Sequence, residues 1–304
     1  GPGVDRGRLI VWRRWVGATA LLAASLGLAY GPGFMNPMPP VDDLLQVGYP
    51  ARLIAEEGIA AIFTPHPYYR PVSDLAKAAL AEIAGPSGPA FRAVGLVFHA
   101  AVCVMLFRLG FLATGAVWPA AAAAAVFAGA WTHWELVASV ANGLQETLAA
   151  AAALAALLAY AGTRSWPAGL FAAAALIISL GSYGFWPHFA LIAWLWDATL
   201  GDRRRRWTWY AVFAVVGAVW LAVDVLPALL GGERYPQAPG SGRWPVVGWG
   251  RNLLAFASYS WAPFPWMHGF GAQVAKGVLA SVTIAWVARA WWRGRPGERF
   301  FAGW

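Results

Sequence analysis

Apolar residues in this chain come in long runs rather than in alternation. Eight such runs, at about 9–29, 91–109, 111–130, 136–160, 167–182, 185–200, 207–230 and 271–292, contain little charge. A helix rises about 1.5 Å per residue and needs about 20 residues to cross a hydrocarbon core of about 30 Å. The runs therefore predict an all-α polytopic membrane protein with about eight transmembrane helices. The fifth and sixth are short and read as a tightly turned pair. A porin-like barrel is excluded, because its strands would alternate in polarity over about ten residues. Between the first two runs the pattern changes. "LLQVGYPARLIAEEGI" and "PVSDLAKAALAEIAG" are short and polar on one side, which predicts two helices lying in the membrane interface. No internal repeat divides the chain, so residues 1–304 form one transmembrane module.

Composition agrees with the pattern. Hydrophobic residues make up 60% of the 304 residues and charged residues 12%, about half the fraction usual in soluble domains. The net charge of +8 would suit a nucleic-acid partner, but its distribution points to the membrane instead. Arg6, Arg8, Arg13 and Arg14 precede the first run, "GDRRRRW" joins the sixth and seventh, and Arg289, Arg293, Arg295 and Arg299 follow the eighth. Arg108 and Arg164 fall in the two remaining loops of the same parity. All five sets place both termini in the cytoplasm of a plasma (inner) membrane protein, with no nucleic acid as partner. The loops at about 30–90 and 231–270 are then extracytoplasmic, and their Trp and Tyr residues fit interfacial anchoring. Of 22 basic residues only Lys77 and Lys276 are lysine, a bias that suggests a GC-rich bacterial genome. The single Cys103 lies in an apolar run and reads as a packing residue. Gly1-Pro2 resembles a protease-cleavage scar, no cleavable signal peptide is evident, and "GERFFAGW" reads as the opening of a truncated apolar segment.

On the predicted outer face the polar residues converge. Asp42 and Asp43 follow a Pro-Pro stop just past the first run. An Asp there serves equally as a helix N-cap or as a catalytic base, since neighbouring carboxylates and partial burial raise one another's proton affinity. "TPHPYYRPVSD" brings His66, Tyr69 and Arg70 ahead of the second interfacial helix. Headgroup anchoring explains that cluster; so does a phosphate clamp built on the planar guanidinium. "AWTHWELVASVANG" carries His133 and Glu135 at the start of a span, where an acid complements the helix dipole and where charges are also often functional. His133, Glu135 and the Asp pair could together hold a divalent metal, though no ligand spacing demands one and the cofactor stays open. Asp224, within the seventh run, is a second-tier candidate because a carboxylate in lipid needs a partner.

Several of these stretches together resemble a known family. "GPAFRAVGLVFHAAVCVMLFRLG" is similar to the second-span signature of the transmembrane O-mannosyltransferases that carry TPR repeats, and of their bacterial relatives. The acidic pair, "YYRPVS", "HWELV", "FWPHFALIAWLWD" and "RNLLAFASYSWAPFPW" follow in the family's order over nearly the whole chain. The departures are "NGLQET", "LGSYGF", Gly95 and the missing TPR repeats. The resemblance implies a C-type (GT-C) glycosyltransferase fold. It further implies an inverting, bacterial cell-envelope hexosyl- or pentosyltransferase that draws on a polyprenyl-phosphate sugar donor in the membrane lipid. The acceptor would be a protein, glycan or lipid hydroxyl. On that resemblance Asp42, or else Asp43, is the base, and Glu135 orients acceptor or donor. Arg70, helped by His66 and Arg251, meets the donor phosphate, with Tyr69 and His133 also lining the substrate site. The competing expectation is a non-catalytic membrane scaffold or lipid-binding subunit of the same fold.

Overall fold

The computed structural model describes residues 6–31, 42–64, 69–129, 140–162, 165–183, 188–200, 206–231 and part of 281–299. Within these, the side chains of 6–13, 42–46, 140 and 225–231 lie outside the description. The described residues form helices and no strand: α1 (Arg6–Tyr30), α2 (Asp42–Glu57), a 3-10 turn (Ile59–Phe63), α3 (Pro71–Ala84), α4 (Gly88–Thr114), α5 (Val117–Ala128), α6 (Val140–Gly162), α7 (Trp166–Tyr183), α8 (Phe189–Thr199) and α9 (Trp207–Gly231).

Four of these helices, α4, α6, α7 and α9, are long and apolar enough to cross a membrane; α5 and α8 are apolar but shorter. The outward faces are apolar as well, with Val97, Val126, Leu191, Val215 and Val219 all well over half exposed. Water does not tolerate so continuous an apolar surface, whereas lipid requires it. The chain is therefore an α-helical membrane protein. Most of the eighth predicted run lies outside the described residues.

Small residues set the helix packing. Gly95 of α4 faces Gly143 and Leu144 of α6, and a Cβ on it would stand 3.8 Å from the Leu144 nitrogen. Gly110 meets Ala120 of α5, where a Cβ would come within 3.2 Å. Gly169 of α7 receives the Trp209 indole so closely that a Cβ would fall 2.0 Å from its ring. Such close approach drives helix association where lipid removes the hydrophobic incentive. Gly115, in the left-handed region at φ 69, ends α4, and its N–H caps the Phe111 carbonyl at 2.8 Å.

The contacts also sort the helix ends. The starts of α4 and α6 lie together with the end of α7, because Ser179 Oγ donates to the Ala149 carbonyl and Gly95 meets Gly143. At the opposite end, a buried network joins α6, α8 and α9. Asp197, 4% exposed, accepts from Tyr160 Oη at 2.5 Å and Tyr210 Oη at 2.6 Å. Arg206 lies over the Tyr160 ring, donates to the Tyr160 carbonyl at 2.6 Å and stands 3.9 Å from the Asp197 carboxylate. Arg14 belongs to this end too, since neighbouring Trp15 packs edge-on against Phe107 and Phe111 late in α4. Arg14, Arg108 and Arg206 thus lie at one end of the bundle, while α2 and α3 cover the other.

Candidate functional site

The covered end is where polar chemistry meets the bundle. α3 is helical because a Pro at its first position has no N–H to lose and its Ala-rich middle propagates the turn. Its placement differs from the sequence expectation in one respect. The polar side of the helix, Ser73, Asp74 and Lys77, is buried, whereas Leu75 and Ile83 point outward at 36% and 83% exposure. An interfacial helix in water would do the reverse. Asp74 and Lys77 instead face the protein interior, where α6 supplies polar partners, while Glu82 stays on the exposed side.

Those partners belong to α6. Lys77 Nζ donates to Gln145 Oε1 at 3.1 Å and lies 3.5 Å from Asp74 Oδ1. Gln145 Nε2 donates to Asn142 Oδ1 at 2.7 Å. Gln145 is fully buried and Arg92 of α4 is 1% exposed. Polar groups at such depth survive only when hydrogen-bonded, so this is a built feature of the fold.

At the start of α3 the half-buried Arg70 lies over the Tyr183 ring, 4.2 Å from its centroid. Its carbonyl accepts from Asp74 N at 2.9 Å and from Ser73 Oγ at 3.2 Å. Tyr69 stacks on Trp220 of α9 at 5.6 Å and reaches the Phe63 carbonyl at 3.4 Å. Partial burial raises the Tyr69 phenol above its ordinary range, so it keeps its proton at working pH. Val72 seats against Gly181, where a Cβ would come within 2.5 Å of its Cγ2. Arg70 and Tyr69 thus bind the start of α3 to the end of α7 and the middle of α9.

α2 packs along α3, and its Val47 inserts among Phe91, Ala141 and Leu144 at the starts of α4 and α6. Asp42 and Asp43 open α2, though their side chains lie outside the described residues. His66, His133, Glu135 and Arg251 also lie outside them. The structure therefore brings Tyr69 and Arg70 to the same bundle end as α2. Asp224 follows Trp220 by one helical turn on α9. Among the described residues no three of His, Cys, Asp and Glu come together as a metal would need.

Sequence reasoning missed Asp74, Lys77 and Gln145. The signal was present: Arg70, Ser73, Asp74 and Lys77 recur at three, four and seven, one stripe of a helix. Asn142 and Gln145 interrupt an apolar helix, where polar residues usually face the protein interior.

No family model, curated protein or solved structure matches this chain.

Proposed function

We propose that this protein is an integral-membrane, inverting glycosyltransferase of the C-type fold. It moves a sugar from a polyprenyl-phosphate donor to an acceptor hydroxyl on the extracytoplasmic face of the plasma membrane. The observation that supports it best is the position of Arg70. A guanidinium backed by the Tyr183 ring sits where an apolar helix ends, at the start of α3, and α3 packs against α2, the helix that Asp42 and Asp43 open. A ligand with one phosphate and a long apolar tail matches such a place, its tail along the lipid-facing helices and its headgroup at Arg70. Stacking uses the face of a guanidinium, whereas phosphate is met by its edge, so the ring orients the cation without competing for the anion.

In this reading the acceptor hydroxyl gives its proton to Asp42 as the new bond to the anomeric carbon forms. The bond from that carbon to the phosphate oxygen breaks on the opposite face. Its electron pair leaves with the polyprenyl phosphate, and configuration inverts. Arg70, with His66 and Arg251, stabilises charge growing on the departing phosphate, where fixed cations accelerate most. Tyr69 and His133 line the substrate site and Glu135 orients the acceptor.

The test is sugar transfer or donor hydrolysis by the full chain in lipid nanodiscs across a panel of polyprenyl-phosphate hexoses and pentoses. Turnover of one donor with inversion at the anomeric carbon is the expected result. Tight binding of donors with no turnover of any would favour the lipid-binding scaffold instead.

A further inference from the structure

A buried donor that meets no acceptor costs free energy, so folded proteins pair nearly all of them. Among the described residues one buried side-chain polar atom has no hydrogen-bond partner, the indole nitrogen of Trp220 on α9. The ring itself is well held. It packs against the main apolar core, and Tyr69 stacks on its face at 5.6 Å with the two planes 22° apart. Stacking uses the face of an indole, whereas its N–H lies in the ring plane. A phenyl ring would stack as well without leaving a donor unsatisfied.

The place of this donor along α9 matters. Tyr210, Phe213, Trp220 and Asp224 recur at three, seven and four residues, along one stripe of the helix. α8 covers the first part of that stripe: Asp197 accepts from Tyr210, and Phe189 meets Phe213 edge-on at 5.0 Å. α8 begins at Phe189, and Trp220 lies seven residues beyond Phe213, about 10 Å further along α9. The aromatic partner at that level is Tyr69, the chain neighbour of Arg70. The unsatisfied N–H therefore belongs to the part of α9 that the start of α3 meets.

An indole N–H donates and cannot accept. The group that suits it is rich in acceptors and short of donors. A phosphate oxygen fits that description; a sugar hydroxyl brings a proton that would need a further acceptor. A charged acceptor also makes the stronger bond.

We propose that Trp220 is a phosphate-binding residue, its indole N–H donating to an oxygen of the same polyprenyl phosphate that meets Arg70. The choice of ligand rests on the function proposed above.

The test uses the full chain in nanodiscs, labelled with nitrogen-15 at its tryptophan indoles. The probe is a sugar-free polyprenyl monophosphate, and the uncharged polyprenol is the control. Wild type is compared with Trp220→Phe, which keeps a stacking ring and removes the N–H. Without probe the variant is expected to keep the wild-type melting temperature, because the missing N–H had no bond to lose. With probe it should bind about tenfold more weakly, as befits one charge-assisted bond. The indole signal absent from the variant identifies Trp220. In wild type that signal should move downfield with the phosphate and stay in place with the polyprenol. Should Trp220→Phe not fold, Trp220→Met carries the same expectations. Wild-type affinity in the folded variant, or an indole signal that the bound phosphate leaves unmoved, would overturn the proposal and leave the function above standing. A wild type that binds no polyprenyl phosphate, with or without a sugar, defeats that function and this ligand together.

Discussion

The guanidinium carbon of Arg70 stands 4.2 Å from the centre of the Tyr183 ring, joining the residue that precedes α3 to the last residue of α7. A cation over an aromatic face contributes about 0.5–2 kcal/mol, more as water is excluded. Tyr183→Leu should therefore lower stability by about 1 kcal/mol. Tyr183→Phe, which keeps the ring, should leave it unchanged. Thermal unfolding in detergent, read by tryptophan fluorescence, distinguishes the two variants.

Gly181 makes a sharper demand on the same junction. A Cβ there would lie 2.5 Å from Val72 Cγ2 and 3.3 Å from its Cβ, so more than one rotatable methyl is in the way. Gly181→Ala should push the start of α3 off α7 and destabilise the protein by about 1–3 kcal/mol, as overpacking does. Val72→Ala should recover much of that loss. A double-mutant cycle on melting temperature checks this, and independent losses from the two substitutions would contradict it.

At the other end of the bundle, Asp197 holds two tyrosine hydroxyls and lies near Arg206. Replacing it strands three polar partners, two of them on buried tyrosines. Asp197→Ala should cost about 3 kcal/mol or more, the range found when one member of a buried charged pair is removed. Arg206→Ala removes a partly exposed cation 3.9 Å from the carboxylate but leaves both tyrosine bonds to Asp197 in place, so it should cost less, about 1–2 kcal/mol. Chemical denaturation of the two variants in mild detergent gives the comparison; equal losses would mean that the carboxylate is not the hub.

The arginine distribution predicts an orientation with the α3 end outside. Cys103 is the single cysteine and is fully buried, which leaves little background for labelling. Glu57→Cys and Glu82→Cys, both at exposed positions, should react with a membrane-impermeant maleimide on intact cells. Arg108→Cys, exposed at the opposite end, should react only after the membrane is opened. The reverse pattern would invert the topology.

Much of this fold is legible in the apolar runs, because a membrane helix must be long, uncharged and continuous. Boundaries are less so. The second and third runs were divided at about 110, whereas α4 continues to Thr114 and Gly115 ends it. The small apolar residues around that turn carry no polarity signal, and only the left-handed glycine marks it. α3 was legible as a helix from the spacing of its polar residues, but not as one turned inward. Polarity on one side of a helix states that two environments exist; it does not state which is protein. Lys77 stood out as a rare lysine in an arginine-rich chain, yet its partner Gln145 is 68 residues away and only packing brings them together. Of the candidate site, Tyr69 and Arg70 meet aromatic partners at the start of α3, and the acidic pair opens α2, which packs against α3.

The most direct test of the proposed function compares Asp42→Asn and Asp43→Asn with wild type in single-turnover sugar transfer, using whichever polyprenyl-phosphate sugar the wild type accepts. Loss of a general base typically slows a reaction by about 10²–10⁴-fold and leaves ground-state binding in place. The account predicts that Asp42→Asn binds the donor as wild type does while its transfer rate falls by about that factor. Asp43→Asn should retain most of the rate. Undiminished transfer by both single variants and by the double variant would contradict it.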